Sequence, residues 1–194
     1  MKRYSLVLLS CVAALPAFAA LPVGTTAPTF TAQASLAGKE FTYILADALK
    51  KGPVVVYFYP AAFTAGCNIQ AHTFAQNMDK FQAAHATVIG ISEDNITTLN
   101  AFSADPHYCA GKLPVASDAD GKIAHSYDLK ISEGRPGMKD SRGVELDHGL
   151  AERTTFIVTK DGKIAATVGG VKPDENVMKV LEIVQKIAAG ESIN

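Results

Sequence analysis

A continuous apolar run from Pro53 to Pro60, PVVVYFYP, is the feature that most constrains how this chain can fold. Consecutive β-branched and aromatic residues without polar alternation are typical of a strand that is buried on both faces of its sheet. Such a strand needs helices on both sides of the sheet, and Pro60 has no amide hydrogen with which to continue the ladder. The run therefore predicts the central strand of an α/β fold, ending at Pro60.

The segment after this strand changes to a helical period. From Gly66 to His85 the apolar residues Phe74, Met78 and Phe81 recur at spacings of four and three, which places them on one face of a helix. The next run, ATVIGIS at residues 86–92, again has the pattern of a buried strand. Strand, helix and strand in this order predict a βαβ unit with parallel strands.

The second half of the chain adds shorter elements. A helix capped by Asp94 or Asn95 is expected first, then a short strand and a short helix within LPVASDADGKIAHSYDL. RTTFIVTKDGKIAATVGG predicts a hairpin with its turn at residues 160–163, and an apolar helical face over 174–189 predicts the last helix. Together these patterns predict an α/β fold whose mixed central sheet is flanked by helices on both faces. Residues 130–152 have no clear period and predict a long loop, which is often functional.

The first nineteen residues are typical of a cleaved secretory signal. Lys2 and Arg3 precede a short apolar run, and Ala17-Phe18-Ala19 offers the small residues of a cleavage site. A membrane anchor and a lipoprotein site at Cys11 are less favoured alternatives, because the apolar run is short. We expect residues 1–19 to be the signal peptide and 20–194 to form one domain, exported to the periplasm of a Gram-negative bacterium and outside the membrane.

Charge and cysteine content limit the function classes of the mature chain. Without Lys2 and Arg3 the basic residues fall from 18 to 16 against 19 acidic ones, a net charge of −3. No basic cluster remains, so a nucleic-acid partner is not expected, and the sequence suggests no metal site. Cys67 and Cys109 remain in a compartment that favours oxidised thiols, so a structural or catalytic disulfide is expected.

Cys67 falls in the first turn of the predicted helix that follows the central strand. A helix start presents unpaired N–H groups and a partial positive charge, and both favour a thiolate over a thiol. Thr64 can place a hydroxyl against the same site, and Pro60 provides a rigid wall that limits access of water. The alternative is an unreactive buried cysteine, and this stretch does not decide between the two by itself.

The wider sequence decides in favour of reactivity. Residues 60–67, PAAFTAGC, fit the peroxiredoxin signature of proline, threonine or serine, and cysteine at spacings of four and three. VVVYFYP before it, VIGIS after it and RTTFIVTKDGKI further on also fit. The chain thus resembles the peroxiredoxins from LPVGTTAPTF to its last helix, and within them the bacterioferritin-comigratory, or Q, type.

This resemblance implies a thioredoxin-like fold and a thiol-dependent peroxidase that reduces hydrogen peroxide and organic hydroperoxides, in antioxidant defence, without a cofactor. Cys67 would be the peroxidatic cysteine, which forms a sulfenic acid. Thr64 would bond the peroxide, and Arg153 would stabilise the thiolate and the charge that develops on the peroxide oxygens. Backbone N–H groups at Gly66 and Cys67 would assist. Gln70 matches a supporting position next to these groups, although an exposed polar helix residue is an equal alternative.

The chain departs from the family pattern near the motif. Ala65 and Asn68 replace the usual proline and threonine, and His72, expected to be solvated, stands where many relatives have a second cysteine. Cys109 instead matches the resolving cysteine of another branch, which implies a Cys67–Cys109 disulfide, within one chain or between two. We expect Cys109 near the end of the helix that follows VIGIS.

Partners and competing functions follow from the same motif. A peroxidase of this kind needs a thioredoxin-like or glutaredoxin-like reductant, and we expect a monomer or a weak homodimer. An exported redox partner or peroxide sensor, which passes the disulfide to a client protein, is the alternative. A disulfide exchanger would need a cysteine at Gln70, and a copper chaperone would need one at Ala71, so both are weak.

Overall fold

The computed structural model describes residues 20–193. The predicted signal peptide at residues 1–19 lies outside the described residues. The strands are β1 (Thr31–Leu36), β2 (Lys39–Ile44), β3 (Val54–Phe58), β4 (Thr87–Ser92), β5 (Val115–Ser117), β6 (Ile131–Ser132), β7 (Leu150–Ala151), β8 (Thr154–Val158) and β9 (Ile164–Gly169). The helices are α1 (Leu45–Leu49), α2 (Ala65–Ala83), α3 (Ile96–Ala104), α4 (Lys122–Ser126) and α5 (Pro173–Ala189). Within residues 20–193, no helix is long and apolar enough to cross a membrane.

Seven strands form a mixed central sheet in the order β2-β1-β5-β4-β3-β8-β9. Strands β3, β4 and β5 are parallel neighbours, as the predicted βαβ pattern requires. The hairpin of β8 and β9 joins the other side of β3 with antiparallel pairing. The predicted mixed sheet, its central strand and the hairpin are therefore confirmed.

Strand β3 is fully buried because it contributes to two separate cores. Val54, Val56 and Phe58 point to a core that also contains apolar residues of α1 and α4. Val55 and Tyr57 point to the opposite core, which α2, α3 and α5 cover. Helices thus lie on both faces of the sheet, as the unbroken apolar run predicts.

The amino-terminal hairpin is an addition that the sequence patterns do not predict. Strands β1 and β2 pair along their whole length through a two-residue turn at Ala37 and Gly38, both with positive φ. Turns of this kind usually carry Asn-Gly or Asp-Gly, so an alanine hides the signal. Strand β2 is mostly exposed, and its sequence therefore lacks the alternation that reveals a half-buried strand.

Residues 130–152 are more ordered than the predicted loop. Strands β6 and β7 pair at the base of the segment, and Lys139 and Glu145 form a further bridge near its tip. The segment is therefore a folded excursion from the domain, and we refer to residues 130–152 below as the excursion. Each of its strands has only two residues, which is too short for a periodic signal in the sequence.

The position of Cys109 relative to helix α3 also differs from the prediction. The helix ends at Ala104, and Asp105 already has extended dihedral angles, with φ −62° and ψ 122°. Pro106 explains this, since the residue before a proline is driven out of the helical region. Cys109 thus lies beyond the helix, in a series of turns, although it is completely buried.

Candidate active site

Sheet topology brings Arg153 close to the start of helix α2, where Cys67 lies. In the antiparallel pair of β3 and β8, Phe58 at the end of β3 lies opposite Thr154 at the start of β8. Arg153, the residue before Thr154, therefore lies next to the end of β3, where the loop to α2 begins. Thr64 is the N-cap of α2, and Cys67 lies in its first turn. A cation and a helix start consequently converge on one sulfur atom.

The sulfur of Cys67 is held by a direct contact with this cation. Nη2 of Arg153 donates a hydrogen bond to Sγ of Cys67 over 3.2 Å. The first bond within α2 runs from the amide of Asn68 to the carbonyl of Thr64, so the amides of Gly66 and Cys67 precede it and are not needed by the helix. The Arg153 guanidinium and two N–H groups that the helix does not use therefore lie at the start of α2, where Cys67 is located.

Gly66 is the residue that leaves room for the guanidinium. A Cβ atom at this position would lie 3.1 Å from Nη2 of Arg153 and 3.4 Å from Cγ of Pro173. The backbone of Gly66 has no positive φ angle, so the requirement is for space and not for backbone freedom. The structure thus places Gly66 beside Arg153, where its lack of a side chain makes room for the guanidinium, in addition to any role of its amide.

Thr64 and Pro60 line a groove that also reaches Arg153. Oγ1 of Thr64 donates its hydrogen to the carbonyl of Ala61 over 2.8 Å. Its lone pairs can therefore still accept a hydrogen bond from the O–H of a hydroperoxide. Pro60, Thr64 and Arg153 are among the residues that line this groove of about 920 Å³. The excursion and the chain before it supply its apolar walls, among them Leu129, Ile131, Met138, Leu146 and Leu150.

Gln70 fixes the guanidinium from the other side. Its side chain is completely buried, so the alternative of an exposed helix residue is wrong. Oε1 of Gln70 accepts a hydrogen bond from Nη1 of Arg153 over 2.5 Å, and Nε2 donates to Oδ1 of Asn176 over 3.0 Å. His72, by contrast, is exposed on α2, as expected.

Asn176 is a member of this network that the sequence patterns do not predict. Its Oδ1 also accepts from Oγ1 of Thr155 over 2.8 Å, and its Nδ2 donates to the carbonyl of Val168 over 3.0 Å. A signal exists in the sequence, because Asn176 lies four residues before Val180 and so shares the apolar face of α5. A polar residue on such a face needs a buried partner.

Replacing Asn176 with alanine should destabilise the protein by about 3 kcal/mol, because Gln70 and Thr155 would each lose a buried acceptor. Urea unfolding of both proteins measures this loss. Asn77→Ala is the matched control, since Asn77 bonds only within its own helix, to Thr73 and Lys80. An equal loss in the two variants would contradict the network role of Asn176.

A second polar cluster holds the loop between β3 and α2. Asp94 is buried, and its Oδ2 accepts hydrogen bonds from the amide of Ala62 and from Oγ of Ser92, both over 2.7 Å. Its Oδ1 lies 3.1 Å from Nε2 of His148, whose Nδ1 lies 2.7 Å from the carbonyl of Gly149. A carboxylate and a carbonyl are both acceptors, so both ring nitrogens donate and the imidazole is protonated.

The charge on His148 makes part of the stability depend on pH. Burial alone lowers its pKa, but the hydrogen bond and charge of Asp94, with help from Gly149 and Glu93, raise it to about 9. A raised pKa means that the stabilisation is complete below the ordinary value of 6.5 and is lost as pH rises through 9.

The pH series of a His148→Gln variant measures this contribution. The wild type should exceed the variant in unfolding free energy by about 1.5 kcal/mol below pH 6.5, as expected for a hydrogen bond between charged groups. This difference should shrink to nearly zero above pH 9. A difference that stays constant over the whole range would show that His148 stabilises the fold without its charge.

Cys109 lies in the same apolar core as Cys67. Burial, assisted by the negative charge of Asp105, raises the pKa of Cys109 far above its ordinary value. Both cysteines are free thiols in the structure, which therefore describes the reduced form. The Cys67–Cys109 disulfide stays a prediction. Of the other predicted site residues, Arg153 bonds the Cys67 sulfur, Gln70 and Gly66 lie against Arg153, and Pro60 and Thr64 line a groove together with Arg153.

Comparisons with known proteins identify the family of the chain. The AhpC/TSA family matches residues 23–167. Peroxiredoxin Q from chloroplasts of Sedum lineare is 31% identical over 173 residues, which cover 88% of this chain and 81% of the relative. The peroxiredoxin bcp of Coxiella burnetii is 30% identical over 161 residues, covering 83% and 97%.

Solved structures give the same result. The peroxidoxin BcpB of Mycobacterium tuberculosis superimposes with a TM-score of 0.70 at 26% identity, over 85% of this chain and 97% of that one. Peroxiredoxin Q of Xanthomonas campestris gives 0.63 at 25% identity, over 80% and 90%. These likenesses confirm the thioredoxin-like fold that the resemblance implies. From its sequence family and its structural relatives alike, the chain belongs to the peroxiredoxins of the AhpC/TSA family and is a thiol-dependent peroxidase.

Proposed function

We propose that Cys67 is the peroxidatic nucleophile of this peroxidase. The observation that carries the proposal is the 3.2 Å bond from Arg153 to Sγ at the start of α2. The thiolate attacks one oxygen of the hydroperoxide, the O–O bond breaks, and the other oxygen leaves as an alkoxide or hydroxide that takes up a proton. Cys67 becomes a sulfenic acid.

The surrounding groups stabilise charge as it moves from sulfur to oxygen. Arg153 lies beside the sulfur and can follow the negative charge onto the peroxide, while the amides of Gly66 and Cys67 add N–H donors at the helix start. Thr64 orients the substrate because its Oγ1 accepts a hydrogen bond from the O–H of the hydroperoxide. Gln70 and Asn176 hold the guanidinium in place, so these donors need little reorganisation during the reaction.

Cys109 is proposed to resolve the sulfenic acid. Its sulfur attacks that of Cys67, water leaves, and an intramolecular disulfide forms. In the reduced structure the Cys109 thiol is completely buried and its pKa is raised, so this attack requires local opening of the turns around it. A reductant must also reach the disulfide, which requires the first turn of α2 to open.

The groove beside the site supports hydrogen peroxide and organic hydroperoxides as substrates. Its walls are mostly apolar, and Thr64 and Arg153 in its lining could hold the reacting O–O group while an alkyl portion lies against the apolar residues. The bacterioferritin comigratory protein of Xanthomonas campestris, 25% identical, is described by its alkyl peroxide reduction activity. The class of substrate is proposed for this chain by that analogy.

The remaining proposals concern the cellular setting. The signal at residues 1–19 supports export to the periplasm. We further propose a thioredoxin-like or glutaredoxin-like reductant and a monomeric or weakly dimeric state. Intact-mass analysis of the exported protein should show a chain beginning near Ala20. A diacylated Cys11 would replace this proposal with membrane anchoring.

Peroxide consumption by the mature protein tests the function. Thioredoxin, glutaredoxin and a small dithiol are supplied in parallel as reductants, and we expect many turnovers with at least one of them. A peroxide sensor that passes its disulfide to a client would instead consume about one equivalent of peroxide under every condition. Purified protein without added reductant provides the stoichiometric control.

A further inference from the structure

A tight turn in the excursion is organised around one carboxylate. Asp140, whose side chain is 1% exposed, bonds Nε and Nη2 of Arg142 over 2.8 and 2.6 Å. The same carboxylate accepts hydrogen bonds from the backbone amides of Arg142 and Val144 over 2.8 and 3.1 Å. We call residues 140–144 the 140–144 turn. Its carboxylate fixes both the backbone of the turn and the direction of the guanidinium.

This turn contacts Phe63 in two independent ways. Cζ of Arg142 lies 3.5 Å from the centroid of the Phe63 ring, a cation–π contact. The backbone amide of Ser141 donates a hydrogen bond to the carbonyl of Phe63 over 2.9 Å. Side chain and backbone of the same residue are therefore held from outside by the excursion.

Phe63 is placed to transmit such a contact to both redox segments. It directly precedes Thr64, the N-cap of the helix that carries Cys67. Its ring packs edge-on against Phe102 and Tyr108, with centroid separations of 5.0 and 5.7 Å, and Tyr108 is the neighbour of Cys109. One aromatic side chain thus joins the start of α2 to the turns around the second thiol.

The backbone conformation of Phe63 also indicates that surrounding contacts hold this residue in place. Its φ angle is +57°, in the left-handed region that residues with a side chain seldom adopt. Such a conformation persists only where surrounding contacts impose it. When those contacts are lost, Phe63 can relax to a more favourable φ angle, and the loop before Cys67 changes conformation with it.

We propose that the 140–144 turn is a latch on Phe63, and that Asp140 and Arg142 are positioning residues that set how the Cys67 sulfenic acid is consumed. The proposal rests on the proposed function of Cys67 and Cys109. With the latch closed, both thiol segments keep their reduced conformation. When it opens, the sulfurs of Cys67 and Cys109 can form their disulfide.

The latch governs a competition between two reactions of the same sulfenic acid. In the first, the sulfenic acid and the Cys109 thiol give a disulfide and water. In the second, the sulfenic acid reacts with another hydroperoxide to give a sulfinic acid and an alcohol, or water from hydrogen peroxide. A firmer latch slows the first reaction and leaves more time for the second, so it makes the enzyme more easily inactivated by excess peroxide.

An Arg142→Ala variant tests the latch. Loss of one cation–π contact should speed disulfide formation by roughly threefold to tenfold. The peroxide concentration that converts half of Cys67 to sulfinic acid during turnover should rise by a similar factor. Rapid quenching with a thiol-blocking reagent followed by peptide mass analysis measures both quantities, and suits a protein without tryptophan. Arg142→Lys should give an intermediate result, because lysine keeps the charge but not the planar group.

Arg135→Ala is the matched control, since Arg135 is exposed elsewhere on the excursion. The first oxidation step, measured in a Cys109→Ser background, should be unchanged by Arg142→Ala. Equal partition of the sulfenic acid in the Arg142 and Arg135 variants would overturn the latch, as would slower disulfide formation or a loss of the first step. Absence of any Cys67 sulfenic acid in the parent protein would instead refute the proposed function.

Discussion

Replacement of Cys67 by serine is expected to abolish peroxide reduction. A serine hydroxyl is a far weaker nucleophile than a thiolate unless a neighbouring base activates it. Among residues 20–193, the side chain that hydrogen-bonds the sulfur is Arg153, and an arginine cannot act as a base. Steady-state peroxide consumption with a dithiol reductant should therefore fall to the background rate.

The matched variant is Cys109→Ser, which distinguishes the oxidation of Cys67 from the later formation of the disulfide. It should still consume about one equivalent of peroxide and accumulate a sulfenic acid on Cys67 that a dimedone-type reagent can trap. Serine differs little from cysteine in volume, so the buried core around either position should remain intact, and circular dichroism checks this. Wild-type rates in the Cys67→Ser protein would refute the assignment of the nucleophile.

Replacement of Arg153 by alanine should slow the first oxidation step by roughly 10²-fold or more, the loss seen when one preorganised electrostatic donor is removed. The variant loses the cation beside Sγ and leaves the buried Oε1 of Gln70 without its donor. Arg153→Lys should recover only part of the rate, because an ammonium cannot bond sulfur and amide together in the same planar geometry.

Stopped-flow mixing with limiting peroxide, quenched and analysed for Cys67 oxidation, measures this rate directly. Arg135→Ala removes a cation of the same type from the exposed excursion and should leave the rate unchanged. If the two arginine variants react equally fast, the contact between Arg153 and Cys67 has no catalytic consequence, and the charge stabilisation must come from the helix start alone.

The parts of the fold that could be predicted are those with a strong local period. Strand β3 shows an unbroken apolar run because two cores bury it, and the β8–β9 hairpin has two β-rich runs around Asp161-Gly162. The short stretch that contains Thr64 and Cys67 shows a helix start, and the resemblance to the peroxiredoxins then assigns roles to both residues. Strand β2 and the excursion lack such a period, since most of their residues face solvent.

The contacts that support the site could not be predicted, because the residues that make them are distant from one another in the chain. Gln70 and Asn176 are 106 residues apart, and Asp94 and His148 are 54 residues apart. The resemblance indicates Gln70, and the apolar face of α5 indicates that Asn176 needs a buried partner. No local pattern, however, pairs Gln70 with Asn176 or Asp94 with His148. Cys109 shows the intermediate case, because the proline signal at Pro106 was present but the end of α3 falls earlier than expected.

The most direct test is to map the oxidised cysteines after adding one equivalent of hydrogen peroxide to the reduced wild-type protein. Non-reducing peptide mass analysis should find Cys67 joined to Cys109 within a monomer, which size-exclusion chromatography verifies, and the peroxide should be fully consumed. A bond found only between two chains would move the resolving thiol to a partner subunit. Consumption of peroxide with Cys67 left as a free thiol would contradict the account.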